Sequence, residues 1–379
     1  ATMCAHRPLS TVEVRKENRN RVYRHLITLW EPVTKQELAF RLSMSLPTLS
    51  QNLNELAEMG LIDRSATTDS TGGRRPRLIA PLPNARFALG AELTGGDLRL
   101  VAVNLRQETV AYQKINLPFS NTAEYGNRLA QQIEAFLDAN NLDRDKLLGV
   151  GMTLPGIIGP DQSTIEYAPT IGVHTSTPCR FTSSIPYPTL LDNDANCGGF
   201  GEWWNRTDQQ SMAYLSLSRG VGGAFLVGGQ LYDGVSHRAA EFGHLCLHPG
   251  GRRCECGRQG CLEAYCSAAR LSDDLGITLE EFFQRLEEGE PSCQELWKSY
   301  LEDLATAVTT IHTILDCPVM IGGSVSQYLP PYRSQLAKLI RELDPLSDQT
   351  DFFTFCPSYS RSICIGAATR FLYNFVSQL

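Results

Sequence analysis

Leu217-Ser218-Arg219-Gly220-Val221-Gly222-Gly223-Ala224-Phe225 sets three glycines between apolar residues. Glycines after an apolar strand let the backbone turn tightly and approach a phosphate closely. A second such turn, Met320-Ile321-Gly322-Gly323-Ser324, follows a helical pattern over Leu301 to Leu315. Tight strand–helix packing also selects glycine, so the surroundings must decide. Upstream, Phe87 to Leu93 starts a strand and Leu98 to Leu105 continues the sheet. Tyr125 to Ala139 has helical spacing, and Leu147 to Gly156 reads as a buried strand running into a turn. Strands alternating with helices predict an α/β architecture with a largely parallel or mixed sheet.

Working outward, Leu217, Gly220, Val221, Gly222, Ala224 and Phe225 are followed, after eight intervening residues, by Gly234, then by Ala240, Gly243 and His244. Asn193-Asp194-Ala195-Asn196 precedes them, with Gly201-Glu202 beyond it. Glu241-Phe242-Gly243-His244 and the run from Cys254 to Glu263 complete the pattern. The set resembles the ROK family of sugar kinases and transcriptional repressors over essentially the whole chain. The resemblance implies an α/β chain with a two-lobed, actin-like or ribonuclease H-like ATPase fold. The small lobe is expected over 81–190 plus 360–379, and the large lobe over 191–359.

Three of the twelve cysteines, Cys254, Cys256 and Cys261, fall within eight residues. In a chain of this kind they read as metal ligands before disulfides. Gly257 and Gly260 supply tight turns that let the sulfurs converge. His244, His248 and Cys246 are all near enough in sequence to add a ligand. The family resemblance points to His244, giving one imidazole and three thiolates, a set suited to a closed, structural Zn2+ site.

The resemblance also implies sugar contacts at Asn193, Asp194, Glu241, His244 and Glu263. In the family's kinases the Asp194 position is the general base for the attacking hydroxyl. Two departures argue against catalysis here. The kinases' phosphate loop reads Asp-x-Gly-Gly-Thr-Lys, and this chain has Glu92-Leu93-Thr94-Gly95-Gly96-Asp97. An acidic side chain stands where a lysine would meet the triphosphate. Ser218-Arg219-Gly220 likewise replaces the kinases' Gly-Thr-Gly. Positioning and charge stabilisation supply most phosphoryl-transfer catalysis, so no catalytic residue is expected and kinase activity is expected to be lost. Thr170 stands where the kinases often carry Asn before Trp, which leaves the sugar's identity open.

The first 80 residues have a different character. Val22, Leu26 and Leu29 place a helix over Asn18 to Trp30. Thr34-Lys35-Gln36-Glu37 forms a capping box for a second helix. Ser45 caps a third, with Pro47 in its first turn and Leu46, Leu49, Leu53 and Leu56 inward. Gly60 ends it. Leu61-Ile62 and Leu78-Ile79 then flank a loop ending in Arg74-Arg75-Pro76-Arg77. Three helices and a long-tipped hairpin predict a winged helix-turn-helix domain over 1–80. Pro47, Thr48, Ser50, Gln51 and Asn52 are its candidate groove-facing residues, and Arg74, Arg75 and Arg77 its candidate minor-groove residues.

The charge follows the same division. The net charge of the chain is −7, which taken alone disfavours nucleic acid. Residues 1–80 hold 12 basic and 8 acidic residues, leaving 22 basic and 33 acidic residues to the body. A basic head on an acidic body is the asymmetry expected of a DNA reader joined to a sugar-sensing module. No run of about 18 apolar residues occurs and the first ten residues carry no apolar signal core, so a cytoplasmic, nucleoid-associated bacterial protein with no membrane insertion is expected. The repressor branch of the family further implies operator DNA, a sugar or sugar-phosphate effector and a homodimer or tetramer as partners. A sugar-transporter protein is a further candidate partner.

Overall fold

The computed structural model describes residues 11–67, 77–206, 210–344, 351–357 and 361–379. Helix α1 (Thr11–Ile27) buries Val22, Tyr23 and Leu26. It begins and ends earlier than the apolar spacing predicts: Leu29 N–H closes a last turn on Leu26 O, and Glu31-Pro32 follow. The short strand β1 (Val33–Thr34) leads into α2 (Lys35–Leu42), whose N-cap is Thr34, its hydroxyl accepting from Glu37 N–H at 3.3 Å. The reciprocal half of the capping box is missing, because the Glu37 carboxylate pairs with Arg41. Helix α3 (Leu46–Glu58) is capped by Ser45, and Gly60 follows it with φ of +70°. Strands β2 (Ile62–Asp63) and β3 (Leu78–Pro81) complete a three-stranded wing in the order β1-β3-β2.

The body opens with β4 (Phe87–Leu93), β5 (Asp97–Asn104) and β6 (Thr109–Asn116), joined antiparallel. After α4 (Ala123–Ala139), β7 (Leu147–Leu154) adds parallel to β4. A small antiparallel sheet, β8 (Ile157–Ile158), β9 (Thr164–Tyr167) and β10 (Thr177–Pro178), then projects from it. Strand β11 (Thr189–Asn193) closes the first sheet in the order β11-β7-β4-β5-β6.

Helix α5 (Asp194–Trp204) leads to the second sheet, built from β12 (Met212–Leu217), β13 (Val221–Val227) and β14 (Gln230–Leu231). A long excursion carries α6 (Glu263–Cys266), α7 (Ala268–Leu271), α8 (Leu279–Glu287) and α9 (Pro291–Leu315). Strand β15 (Val319–Gly322), α10 (Arg333–Leu343) and β16 (Phe353–Phe355) follow, and the sheet order is β14-β13-β12-β15-β16. The chain closes with α11 (Ser362–Gln378), which packs on β4, β5 and β7 and crosses α5.

Alternation along the strands decides which face meets which helix. Leu89, Ala91 and Leu93 of β4 share a core with Leu129, Ile133 and Phe136 of α4. Ala88, Val101 and Val103 on the other face join Ala368 and Leu372 of α11, and this core continues without a break into Leu26, Leu49 and Leu53 of the head. Helix α11 approaches α5 and β4 closely because glycine lines both contacts: a Cβ at Gly366 would sit 1.8 Å from Cys197 O, and one at Gly90 would sit 1.9 Å from Cys364 O.

Candidate functional site

The cleft between the sheets forms where β11 ends. Apolar Leu190 and Leu191 run into Asp192-Asn193-Asp194, where the strand stops and α5 begins. Asn193 is the N-cap: its Oδ1 accepts from Ala195 N–H at 2.8 Å and Asn196 N–H at 3.2 Å, while its Nδ2 donates to Gly156 O at 2.6 Å. Asn193 and Glu241 both line the cleft, together with Asn196, Tyr232, Asp233 and His237. Asp194 lies beside them, partly buried. Burial pushes its carboxyl up to about 7 against the hydrogen bond from Ala195 N–H, and the charges of Glu92 and Glu241 add to the rise. Glu241 is also raised, by burial first and then by the charge of Glu263. A cleft with several desolvated carboxyl groups suits adjacent hydroxyls that can donate to them.

Asp192 was not among the residues anticipated for this site. Its Oδ1 accepts from Asn196 Nδ2 and its Oδ2 from Arg370 Nη1, each at 2.9 Å. Asp192 could have been read from its place beside Asn193 and Asp194. Arg370 could not, since it reaches the cleft from α11, 178 residues away.

The second cluster lies in the excursion after β14. Ligand atoms of His244, Cys254, Cys256 and Cys261 lie within 4.8 Å of one another. Cys256 Sγ and Cys261 Sγ are 3.8 Å apart, and Cys254 Sγ is 3.9 Å from His244 Nδ1. Thiolates bound to one tetrahedral ion at about 2.3 Å stand about 3.8 Å apart, so the donor set fits a single soft cation. Gly257 and Gly260, at φ of +89° and +88°, turn the loop as anticipated, and a Cβ at Gly260 would strike His248 O at 1.9 Å. The other two nearby residues are engaged elsewhere: His248 Nε2 meets Asp303 Oδ1 at 2.6 Å, and Cys246 is exposed with its thiol against Gln259 O.

Glu263 joins the second cluster to the β12–β13 turn. Its Oε2 accepts from Val221 N–H at 2.9 Å and its Oε1 from the Cys254 thiol at 3.6 Å. The metal loop is thereby fastened to the glycine-rich turn between β12 and β13.

The ROK family model matches residues 88–352. The chain belongs to the ROK family. It is 24% identical over 246 residues to the xylose repressor of Bacillus subtilis (strain 168), a match spanning 64% of each chain. It is 25% identical over 274 residues to the DNA-binding transcriptional dual regulator NagC of Escherichia coli (strain K12), covering 72% of this chain and 67% of that one. Its fold resembles the crystal structure of a ROK transcriptional regulator, a homologue of the E. coli Mlc protein, with a TM-score of 0.76 at 20% identity over 96% of this chain and 98% of that one. It also resembles a ROK glucokinase from Streptomyces griseus in complex with glucose and AMPPNP, with a TM-score of 0.61 at 22% identity over 75% of this chain and 98% of that one. The two-lobed ROK α/β fold behind a winged head is thereby established.

Within this ROK fold the two phosphate-type hairpins stand out. At the β4–β5 turn, Glu92 pairs with Arg99 at 3.0 Å and Asp97 with Lys114 at 2.9 Å. Thr94 Oγ1 closes the turn by accepting from Asp97 N–H at 2.9 Å. At the β12–β13 turn, Arg219 points outward, 81% exposed, and meets Asp273 at 3.3 Å.

On the ROK head, Pro47 and Gln51 are exposed and Thr48 and Ser50 partly so. Asn52 corrects the expectation of an outward residue. It is 5% exposed, because it falls one turn after Leu49 on the inner stripe, and its Nδ2 donates to Thr48 O at 2.8 Å. Asn54, not among the anticipated residues, is exposed and accepts from Arg64 at 2.7 Å. Arg77 is exposed where its bridge to Thr67 begins the wing. Arg74 and Arg75 lie outside the described residues. Among the described residues no helix is long and apolar enough to cross a membrane.

Proposed function

We propose that this chain is a sugar-responsive transcriptional repressor, with its winged head on operator DNA and its ROK body on the effector. The observation that carries the reading is the pairing of a carboxylate- and amide-lined cleft with a phosphate hairpin whose acidic residues are paired within the sheet, Glu92 with Arg99 and Asp97 with Lys114 of β6. A sugar finds partners there, whereas a triphosphate meets carboxylates. The names of the relatives, a xylose repressor and NagC, support the same reading. The effector is a sugar or sugar phosphate contacted by Asn193, Asp194, Glu241, His244 and Glu263. Pro47, Thr48, Ser50, Gln51, Arg74, Arg75 and Arg77 face DNA. A homodimer or tetramer presents paired heads to paired half-sites.

The ion held by His244, Cys254, Cys256 and Cys261 is structural Zn2+. When bound, it would draw the three thiolates and the imidazole of the loop together, while Glu263 holds that loop to β13 through Val221 N–H. All four positions are filled by protein, so no water site remains for chemistry.

The test is a thermal-shift screen of sugars and sugar phosphates, followed by gel-shift titration of the full chain on a duplex it selects from a random pool. Arg77→Ala is expected to weaken binding to all duplexes alike and to flatten the salt slope by about 1. Unchanged affinity at two salt concentrations for Arg77→Ala and for Arg74→Ala with Arg75→Ala defeats the wing assignment.

One observation favours a second reading, a hexose kinase with a regulatory head. An Asp194 carboxyl pushed up to about 7 is poised as a general base. ADP release from ATP with a panel of hexoses separates the two, and the repressor reading expects none above the no-sugar rate.

A further inference from the structure

The turn from Asn104 to Glu108, between β5 and β6, grips two elements at once. Arg106 Nε donates to Ile27 O at 2.8 Å, and its Nη2 donates to Leu29 O. These carbonyls belong to the end of α1 and the turn after it, which a cation suits. The guanidinium also lies 4.5 Å over the Trp30 ring. The next residue, Gln107, is buried with φ of +62°, a conformation uncommon outside glycine. Its Nε2 donates to Gly201 O of α5 at 3.1 Å and to Thr369 Oγ1 of α11 at 2.6 Å. Adjacent residues of one turn therefore hold the DNA head and the helix that opens with Asn193 and Asp194.

The far end of that helix also reaches the head. An 11-residue α5 is about 16 Å long, so Trp204 lies one helix length from the cleft. Arg24 of α1 stands 5.5 Å over the Trp204 ring. Helix α5 sits between the halves, packed on β12 and β13 of the second sheet and on α11, which lies against the first, the sheet to which Arg106 belongs. The first helix of the head thus bears on both halves of the body. A ligand that changes how α5 sits between the second sheet and α11 would move Trp204 and Gly201 relative to the β5–β6 turn, and both contacts bear on α1.

We propose that Arg106 and Gln107 are positioning residues that carry the sugar response from α5 to the DNA head. The inference rests on the repressor reading above. It requires that ligand and DNA bias the same two arrangements of α5 against the turn, a coupling that is reciprocal between the two sites.

The experiment uses the full chain and a duplex it selects from a random-sequence pool. Aldoses, N-acetylhexosamines and their 6-phosphates serve as probes. Duplex affinity is measured with and without each sugar, and sugar affinity by calorimetry. Wild type is expected to change its duplex affinity about tenfold on sugar binding. Gln107→Gly removes the amide while easing the positive φ, and Arg106→Ala removes the fork. Both are expected to keep sugar affinity and sugar-free duplex affinity within about threefold, while the sugar-induced change shrinks below about twofold. A purely structural role would lower the affinities and leave that ratio alone. Arg106→Lys, which keeps charge and stem but cannot span two carbonyls, is expected to fall between, and supplies the result if either variant melts below the assay temperature. A ratio equal to wild type in the folded variants, with sugar still bound, overturns the proposal. A wild type whose duplex affinity no sugar changes overturns the repressor reading itself, and this inference with it.

Discussion

The two five-stranded sheets share one topology. In each, a three-stranded antiparallel unit (β4-β5-β6 or β12-β13-β14) is extended from its first strand by two parallel strands. Their first hairpin turns have diverged in opposite directions. The β4–β5 turn is held within its own sheet, by Glu92–Arg99 across the hairpin, by Asp97–Lys114 to β6 and by the Thr94 hydroxyl. The β12–β13 turn is held from outside, through Glu263, by the loop that bears the metal cluster. The same framework is thus closed by its own charges on one side and braced by an added loop on the other. The topology depends on the apolar strands and their crossovers, and survives either solution.

The brace carries the largest expected effect. Cys254→Ser should lower bound zinc from one ion per chain toward none, as read by metal analysis of purified protein. Structural zinc sites carry on the order of 10 kcal/mol of apparent binding free energy, and losing even about 3 kcal/mol moves the melting temperature of a lobe this size by roughly 6–12 °C. Cys246→Ser, one residue before Leu247 and outside the cluster, should keep its zinc and its melting temperature. A full zinc complement in Cys254→Ser refutes the ligand set. The joint between the halves comes next. Gly366→Ala forces a Cβ to within 1.8 Å of Cys197 O where α11 crosses α5. Overpacking of this kind costs about 1–3 kcal/mol, and a thermal melt should fall by several degrees with zinc content unchanged. An unchanged melt shows that the two helices do not cross as closely as described.

How legible these features were depended on the range of the signal. The caps of α2 and α3 are local hydrogen bonds within three residues of Thr34 and Ser45, so short sequence runs carried them. The metal cluster is nearly as local, spanning 18 residues, and its choice among His244, His248 and Cys246 came from a family pattern. The structure gives that choice a physical ground, since His248 is taken by Asp303 on α9. Asn52 was misplaced because its amide character was weighed above its position one turn after Leu49. Arg370 and Gln107 carried no signal at all. Their partners stand 178 and 262 residues away in sequence, and only the packing of α11 brings them together.

The smallest expected effect probes the charge of the cleft between the two sheets. Asp194 has an ordinary carboxyl value of 3.8 and is raised by burial to about 7 in the folded chain. Between those values the native state holds a proton that the unfolded chain has released, so stability falls as pH rises from about 4 to about 7 and is flat for this group above and below. Glu241 and Glu92 are raised as well, chiefly by burial, and tilt the curve the same way. Asp194→Asn keeps the shape and removes the titration. Its melting temperature should match wild type near pH 4 and exceed it by a few degrees, about 3 °C or more, at pH 8. The opposite order, a variant less stable than wild type at pH 8, would mean that the ionised carboxylate finds favourable partners in the cleft. Arg370, which also lines the cleft, would then be the cation that stabilises the ionised form, and the desolvation argument for Asp194 would fail.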